Sequence, residues 1–130
     1  ILASIVEKET AVASERILIA AVFHNRLRAR MRLASDPTVI YGLQKFDGNL
    51  RRADLLSETP YNTYKIRGLP PTPIANPGLA SIEAAVAPAK VEYLFFVSKG
   101  DGTHAFTKDY NSHTRAVWKY QIRPHRKRSS

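Results

Sequence analysis

Two glutamates near the start of the chain, in the run Leu2-Ala3-Ser4-Ile5-Val6-Glu7-Lys8-Glu9-Thr10, are not chemically equivalent. Laid on a helix, Leu2, Ile5 and Val6 share one face at the i, i+3, i+4 spacing, and the next position on that face is Glu9, followed by Ala13. A carboxylate therefore interrupts an apolar stripe. Glu7 falls nearly opposite, beside Lys8, where an ordinary solvated side chain belongs. A carboxyl group held against Ile and Val is poorly hydrated when charged, so its pKa should rise toward neutrality, which is what a general acid needs. The competing reading is structural: Glu9 ends the helix and reaches water or a basic partner such as Arg16.

Other residues carry chemistry at suitable spacings. Asp36, in Ser35-Asp36-Pro37-Thr38, is the natural second carboxylate for glycosidase chemistry, but Asp before Pro is first of all a helix cap, and capping is the preferred reading. Tyr61-Asn62-Thr63-Tyr64 brings aromatic faces and an amide together, a combination that suits a sugar ring; its rival is a loop whose tyrosines staple it to the core. Arg26, Arg28, Arg30 and Arg32 could contact an anion, although arginines around a helix end read more simply as a solvated face that complements the dipole. The histidines at 24, 104, 113 and 125 show no tight metal-ligand spacing and no cysteine accompanies them, so no metal is expected. Lys99-Gly100-Asp101-Gly102 lacks the ending of a phosphate-binding loop, and no Gly-x-Ser-x-Gly elbow occurs. No cofactor is expected.

The elements that must position these groups follow from periodicity and punctuation. A helix over about 1–11 is followed by one over about 14–30 with Ser14 as its cap, and a short helix through Val39-Ile40-Tyr41-Gly42 follows Pro37. Residues 46 to 78 are dense in turn formers, and such a long proline-stiffened stretch is usually functional. Ser81 to Ala87 reads as a helix closed by Pro88, Val91 to Ser98 as a strand, and Lys99-Gly100-Asp101-Gly102 as the turn into a partner strand His104-Ala105-Phe106. Asp109 to Ile122 is a final amphipathic helix, and residues 123–130 form a basic tail. The expected fold is α+β: a helical layer carrying Glu9 beside a small antiparallel sheet, with a long proline-rich loop. At 130 residues there is one domain, placed over 1–122. The chain opens at Ile1 in mid-helix pattern without an initiator Met, and is expected to be a fragment.

Twenty Lys and Arg against eleven Asp and Glu give a net charge of +9, which favours an anionic partner. No disulfide framework is possible without cysteine. No apolar run approaches the about 18 residues of a membrane span. The basic residues are scattered, and no nucleic-acid motif appears, so nucleic acid is not expected.

Several blocks in fixed order, Ala3-Ser4-Ile5-Val6-Glu7-Lys8-Glu9-Thr10, Phe23-His24-Asn25-Arg26-Leu27, Asp36-Pro37-Thr38-Val39-Ile40-Tyr41-Gly42, Tyr61-Asn62-Thr63-Tyr64, Gly68-Leu69-Pro70-Pro71, Ile74-Ala75-Asn76-Pro77-Gly78 and Tyr93-Leu94-Phe95-Phe96-Val97, resemble the catalytic domain of the endolytic murein transglycosylases, the YceG-like family. The resemblance implies that the second glutamate of Glu-Lys-Glu, Glu9, is catalytic; Asn62, Tyr64, Tyr41 and Asp36 are expected to contact the glycan. It implies cleavage of the β-1,4 bond between N-acetylmuramic acid and N-acetylglucosamine within a peptidoglycan strand, leaving a 1,6-anhydro end. It further implies a place at the outer face of the cytoplasmic membrane, through an N-terminal anchor outside this sequence, in company with peptidoglycan synthases. Two rivals differ in class. A two-carboxylate muramidase using Glu9 and Asp36 would leave a reducing end. A non-catalytic basic module would hold an anionic polymer with steep salt dependence.

Overall fold

The structure, a computed structural model, describes residues 1–122; the basic tail lies outside the described residues. Its first helix, α1 (Leu2–Glu9), buries the expected stripe: Leu2, Ile5 and Val6 lie in the core. After a 3-10 turn at Ala13–Glu15 comes α2 (Arg16–Arg28), buried along Ile19, Ala20, Ala21, Val22 and Phe23. Ser14 is not its cap. The chain enters α2 through the 3-10 turn, and no side chain caps it. Two shorter helices follow, α3 (Asp36–Gly42) and the single turn α4 (Arg52–Leu55), and then α5 (Leu79–Val86), which packs on both α1 and α2. Burying one apolar stripe per helix is what holds helices this short, since helices below about 12 residues are marginal alone.

A two-stranded antiparallel sheet follows α5: β1 (Phe95–Ser98) pairs with β2 (His104–Thr107), with Phe96 opposite Phe106 and Val97 opposite Ala105. Gly100 and Gly102 turn the hairpin at φ 87° and 91°, a region open to glycine and costly for other residues. The strand is shorter than the alternation from Val91 predicts, and the reason is chemical. The carbonyls of Val91 and Tyr93 accept from Asn25 Nδ2 (2.9 Å each), and that of Leu94 accepts from Arg26 Nε (2.7 Å). Side chains of α2 thus take the carbonyls that a longer ladder would use. Phe96 meets Phe23 of α2 edge-on at 5.8 Å, whereas Phe95 stacks on His113 of α6 (Tyr110–Val117) at 4.9 Å. Asp109 caps α6 by accepting from Ser112 N at 2.8 Å, and a π-helical turn, Trp118–Ile122, ends the described chain. The architecture is α+β, with the sheet between α2 and α6. No helix among the described residues is long and apolar enough to cross a membrane.

Candidate active site

Glu9 is the last residue of α1; Thr10 leaves the helix in an extended conformation (φ −145°, ψ 142°). The helix is clamped from below by distant partners. Ser4 Oγ donates to Ile1 O (2.6 Å) and accepts from Ile74 N (3.0 Å). Glu7 Oε1 accepts from Gly78 N (2.7 Å) and from Ser81 Oγ (3.0 Å). The expectation that Glu7 is a solvated bystander is therefore corrected: it is half-buried and satisfies the orphan N–H of Gly78 and the Ser81 hydroxyl at the start of α5. Those hydrogen bonds hold its carboxyl below the usual glutamate range, with Arg16 and Lys8 adding to the effect.

Two cavities, of about 370 and about 490 Å³, meet at Glu9. Glu9, Asp36, Phe96 and His113 line both; Arg26, Arg32, Tyr64 and Tyr110 complete the first, and His104, Val117 and Gln121 lie along the second. Although the Glu9 residue as a whole keeps some accessible surface, its carboxyl is densely surrounded, and burial pushes its pKa up to about 7. The neighbouring Asp36 charge raises it further, and Arg26 opposes. A carboxyl poised there can both give and take a proton near neutral pH.

Asp36 does not cap α3. Ser35 occupies the cap position with no side-chain hydrogen bond to the helix. Instead Asp36 Oδ1 accepts the Tyr64 hydroxyl proton at 2.6 Å, turning the carboxylate toward the cavities. Burial, the Asp36 bond and the charges of Asp36 and Glu9 all raise the Tyr64 pKa, so its phenol stays a donor. The bend before α3 is built by Ala34 at φ 52°, a conformation that a non-glycine residue adopts at a cost of about 1 kcal/mol. Ala34 N bonds Thr63 O (3.1 Å), and Thr63 Oγ1 accepts from Ser35 N (2.8 Å) and pairs with Thr38 Oγ1 (2.7 Å). The tyrosine loop and the head of α3 are thus one unit.

Asn62 is absent from both cavities. Fully buried, it donates from Nδ2 to Leu55 O (3.0 Å) and Ser57 O (2.6 Å) and accepts from Tyr64 N (3.0 Å). Its amide is spent on the loop's own backbone, so the expectation of a sugar-facing Asn62 is corrected. Tyr41 likewise lies elsewhere. Half-exposed, it meets Tyr61 edge-on at 4.8 Å and lines a separate cavity with Lys8, Pro37, Ile40 and Ile74.

Arg26 corrects the reading of the arginines as one solvated face. It is 8% exposed; Nη1 donates to Leu33 O (2.5 Å), Nε donates to Leu94 O, and the guanidinium lies 5.6 Å from the Phe95 ring centre and 5.9 Å from that of Phe96. Burial lowers its proton affinity, with Glu9 and Tyr64 opposing. The signal was present: Arg26 follows Val22 and Phe23 at i+4 and i+3, interrupting an apolar stripe as Glu9 does. His113 was missed for lack of any such signal, since only the tertiary fold brings α6 over the cleft. Among the described residues no cluster of three or more His, Asp or Glu side chains could hold a metal.

Residues 1–119 match the YceG-like family. The chain is similar to the endolytic murein transglycosylase of Bacillus subtilis, 45% identical over 119 residues covering 92% of this chain and 33% of that protein. The endolytic murein transglycosylase of Streptococcus pneumoniae D39 is 36% identical over 122 residues, covering 89% and 22%. A crystal structure of a putative YceG-like protein from Listeria monocytogenes superposes with a TM-score of 0.80 at 44% identity, covering 88% of this chain and 36% of that one. The chain spans a third or less of the length of these curated relatives. With the match running from α1 through α6 and so through Glu9, Arg26, Asp36, Tyr64 and His113, the chain belongs to the YceG-like family.

Proposed function

We propose that this chain cuts peptidoglycan strands internally as a lytic transglycosylase, with Glu9 as its single acid and base. The observation that supports the reading is a carboxyl group with pKa about 7 on the shared wall of two cavities, which in this reading take the sugars on each side of the cut bond. Subsites on both sides are what internal cleavage requires. Protonated Glu9 gives its proton to the oxygen leaving C1 of N-acetylmuramic acid. The substrate's acetamido carbonyl supports the cationic C1 as the glycosidic bond breaks. Glu9, now a carboxylate, takes the proton of the C6 hydroxyl while that oxygen bonds to C1, closing the 1,6-anhydro ring and returning Glu9 to its starting state. No water is consumed, which makes the reaction that of a lyase.

Asp36 acts in this scheme as a fixed negative charge. Anchored by Tyr64, it adds to burial in raising the Glu9 pKa, and both line the cavity beside the glycan. Residues 1–122 form the catalytic domain. The work is done in the cell envelope, on the outer face of the cytoplasmic membrane, through an anchor outside this sequence, beside the synthases whose growing strands it terminates. The named relatives support this reading.

A second reading keeps one observation in its favour: Asp36 borders the same two cavities as Glu9, as the second carboxylate of a muramidase would. Digestion of peptidoglycan followed by mass analysis of the new ends separates the two. Anhydro-muramyl ends that vanish with Glu9→Gln support the lyase; reducing ends would sink it.

A further inference from the structure

We propose that His113 is a further substrate-contacting residue of this site, its imidazole donating from Nε2–H to a neutral oxygen, hydroxyl or acetamido carbonyl, of the hexosamine beside the scissile bond. The inference rests on reading the cleft as a glycan site. It goes beyond that reading in assigning a residue, a ring nitrogen and a protonation state.

His113 lines both cavities, as Glu9 does, but from α6 and not from α1. Its ring is fixed by stacking on Phe95, at 4.9 Å between centres and 22° between planes. The two nitrogens then differ. Nδ1 is buried and finds no hydrogen-bond partner among the described residues. A proton there would be a buried donor without an acceptor, which is costly, whereas an unprotonated Nδ1 leaves only an idle lone pair. The single proton of a neutral imidazole therefore sits on Nε2, the nitrogen left to the cavities. A second proton would have to go to Nδ1, so the ring stays neutral.

The surroundings agree. Glu9, Arg26, Arg32, Asp36, Tyr64 and Tyr110 line the first cavity with it, and burial followed by the Arg26 charge pulls the His113 pKa down. A neutral ring suits a neutral sugar, because it adds a directed donor without a charge to desolvate. His113 is consequently no second acid, and that separates this assignment from a proton-transfer role.

The test uses the full-length protein in three forms: wild type, His113→Phe, which keeps the stacked ring and removes the donor, and His113→Gln, whose amide N–H falls near the position of Nε2. Expected are an unchanged melting temperature for both, a kcat/KM on peptidoglycan strands lowered about tenfold in His113→Phe, mostly through KM, and substantial recovery in His113→Gln. The pH dependence of kcat/KM should keep its wild-type limbs. Nitrogen-15 spectra of ring-labelled histidine should show the Nε2–H form at neutral pH, with that signal moving when glycan strands are added to the inactive Glu9→Gln protein. A His113→Phe enzyme with wild-type kcat/KM, an Nδ1–H or doubly protonated ring, or a shared loss of activity and folding in both variants overturns the proposal. The two readings also fail separately. A glycan-dependent shift of Nε2 without anhydro products sinks the lyase reading alone, while anhydro products from an unimpaired His113→Phe enzyme sink only the histidine.

Discussion

The Tyr64 hydroxyl donates to Asp36 Oδ1 at 2.6 Å across 28 residues of sequence. That one bond makes Asp36 an anchored charge facing Glu9 where local sequence rules make it a helix cap. The negative charge of Asp36 adds to burial in disfavouring the ionised form of Glu9.

Glu9→Gln should reduce release of anhydro-muropeptides by roughly 10²-fold or more, the scale of general acid-base catalysis. Its effect on stability should depend on pH. The folded pKa, about 7, lies above the ordinary value of 4.5, so the folded state holds the proton more tightly and Glu9 costs stability increasingly as pH rises between those values, reaching about 3 kcal/mol at the top. Melting temperatures of wild type and variant should therefore coincide near pH 4.5 and diverge in favour of Gln by pH 8. A constant difference across that range contradicts the raised pKa.

Asp36→Asn removes the neighbouring charge while its amide oxygen still accepts from Tyr64. The Glu9 pKa should fall, and the high-pH limb of kcat/KM should move to lower pH, leaving near-normal activity at pH 5 to 6 and a deficit above 7. An enzyme dead at every pH would instead make Asp36 a participant in bond breaking and favour the muramidase.

Asn62→Ala should act on folding and not on substrate. It leaves the carbonyls of Leu55 and Ser57 and the N–H of Tyr64 without their partner, at a cost of about 1–3 kcal/mol. Thermal unfolding should show the loss, and KM measured well below the melting temperature should stay near the wild-type value.

Glu7→Gln tests the clamp on α5. Because the folded pKa is depressed, the carboxylate adds stability above the ordinary glutamate range, and that contribution disappears as pH falls through the folded value. The variant should melt earlier than wild type at pH 7 and together with it in acid, with anhydro-product formation per folded molecule unchanged.

What could be read in the sequence was what depends on one element alone. Glu9 stood out because a stripe of Leu2, Ile5 and Val6 points at it, and Arg26 obeys the same rule on α2. Residues whose part is set by a particular partner, and not by the period of their own element, were misread. Asp36 looked like a cap because Tyr64 lies 28 positions away, Asn62 looked free because its acceptors are carbonyls and not side chains, and Glu7 looked solvated because Gly78 and Ser81 are 71 and 74 positions off. The α+β outline was legible, since hairpin and helix periods are local; the start of β1 was not, because Asn25 and Arg26 take its leading carbonyls.

The clamping of α1 also fixes an order of events in folding. Eight residues cannot hold a helix in water by themselves, and the bonds that hold this one, Ile74 to Ser4 and Gly78 to Glu7, close loops of 70 and 71 residues, while His104 reaches back 89 residues to Glu15. Such high contact order makes assembly slow and late. A nascent chain that has not yet delivered residue 78 carries Glu9 on a fraying, hydrated segment, ionised like any surface glutamate. A buried Glu9 that holds its proton near neutral pH comes into being only with the finished fold, so under the proposed mechanism a truncated or misfolded copy lacks its acid.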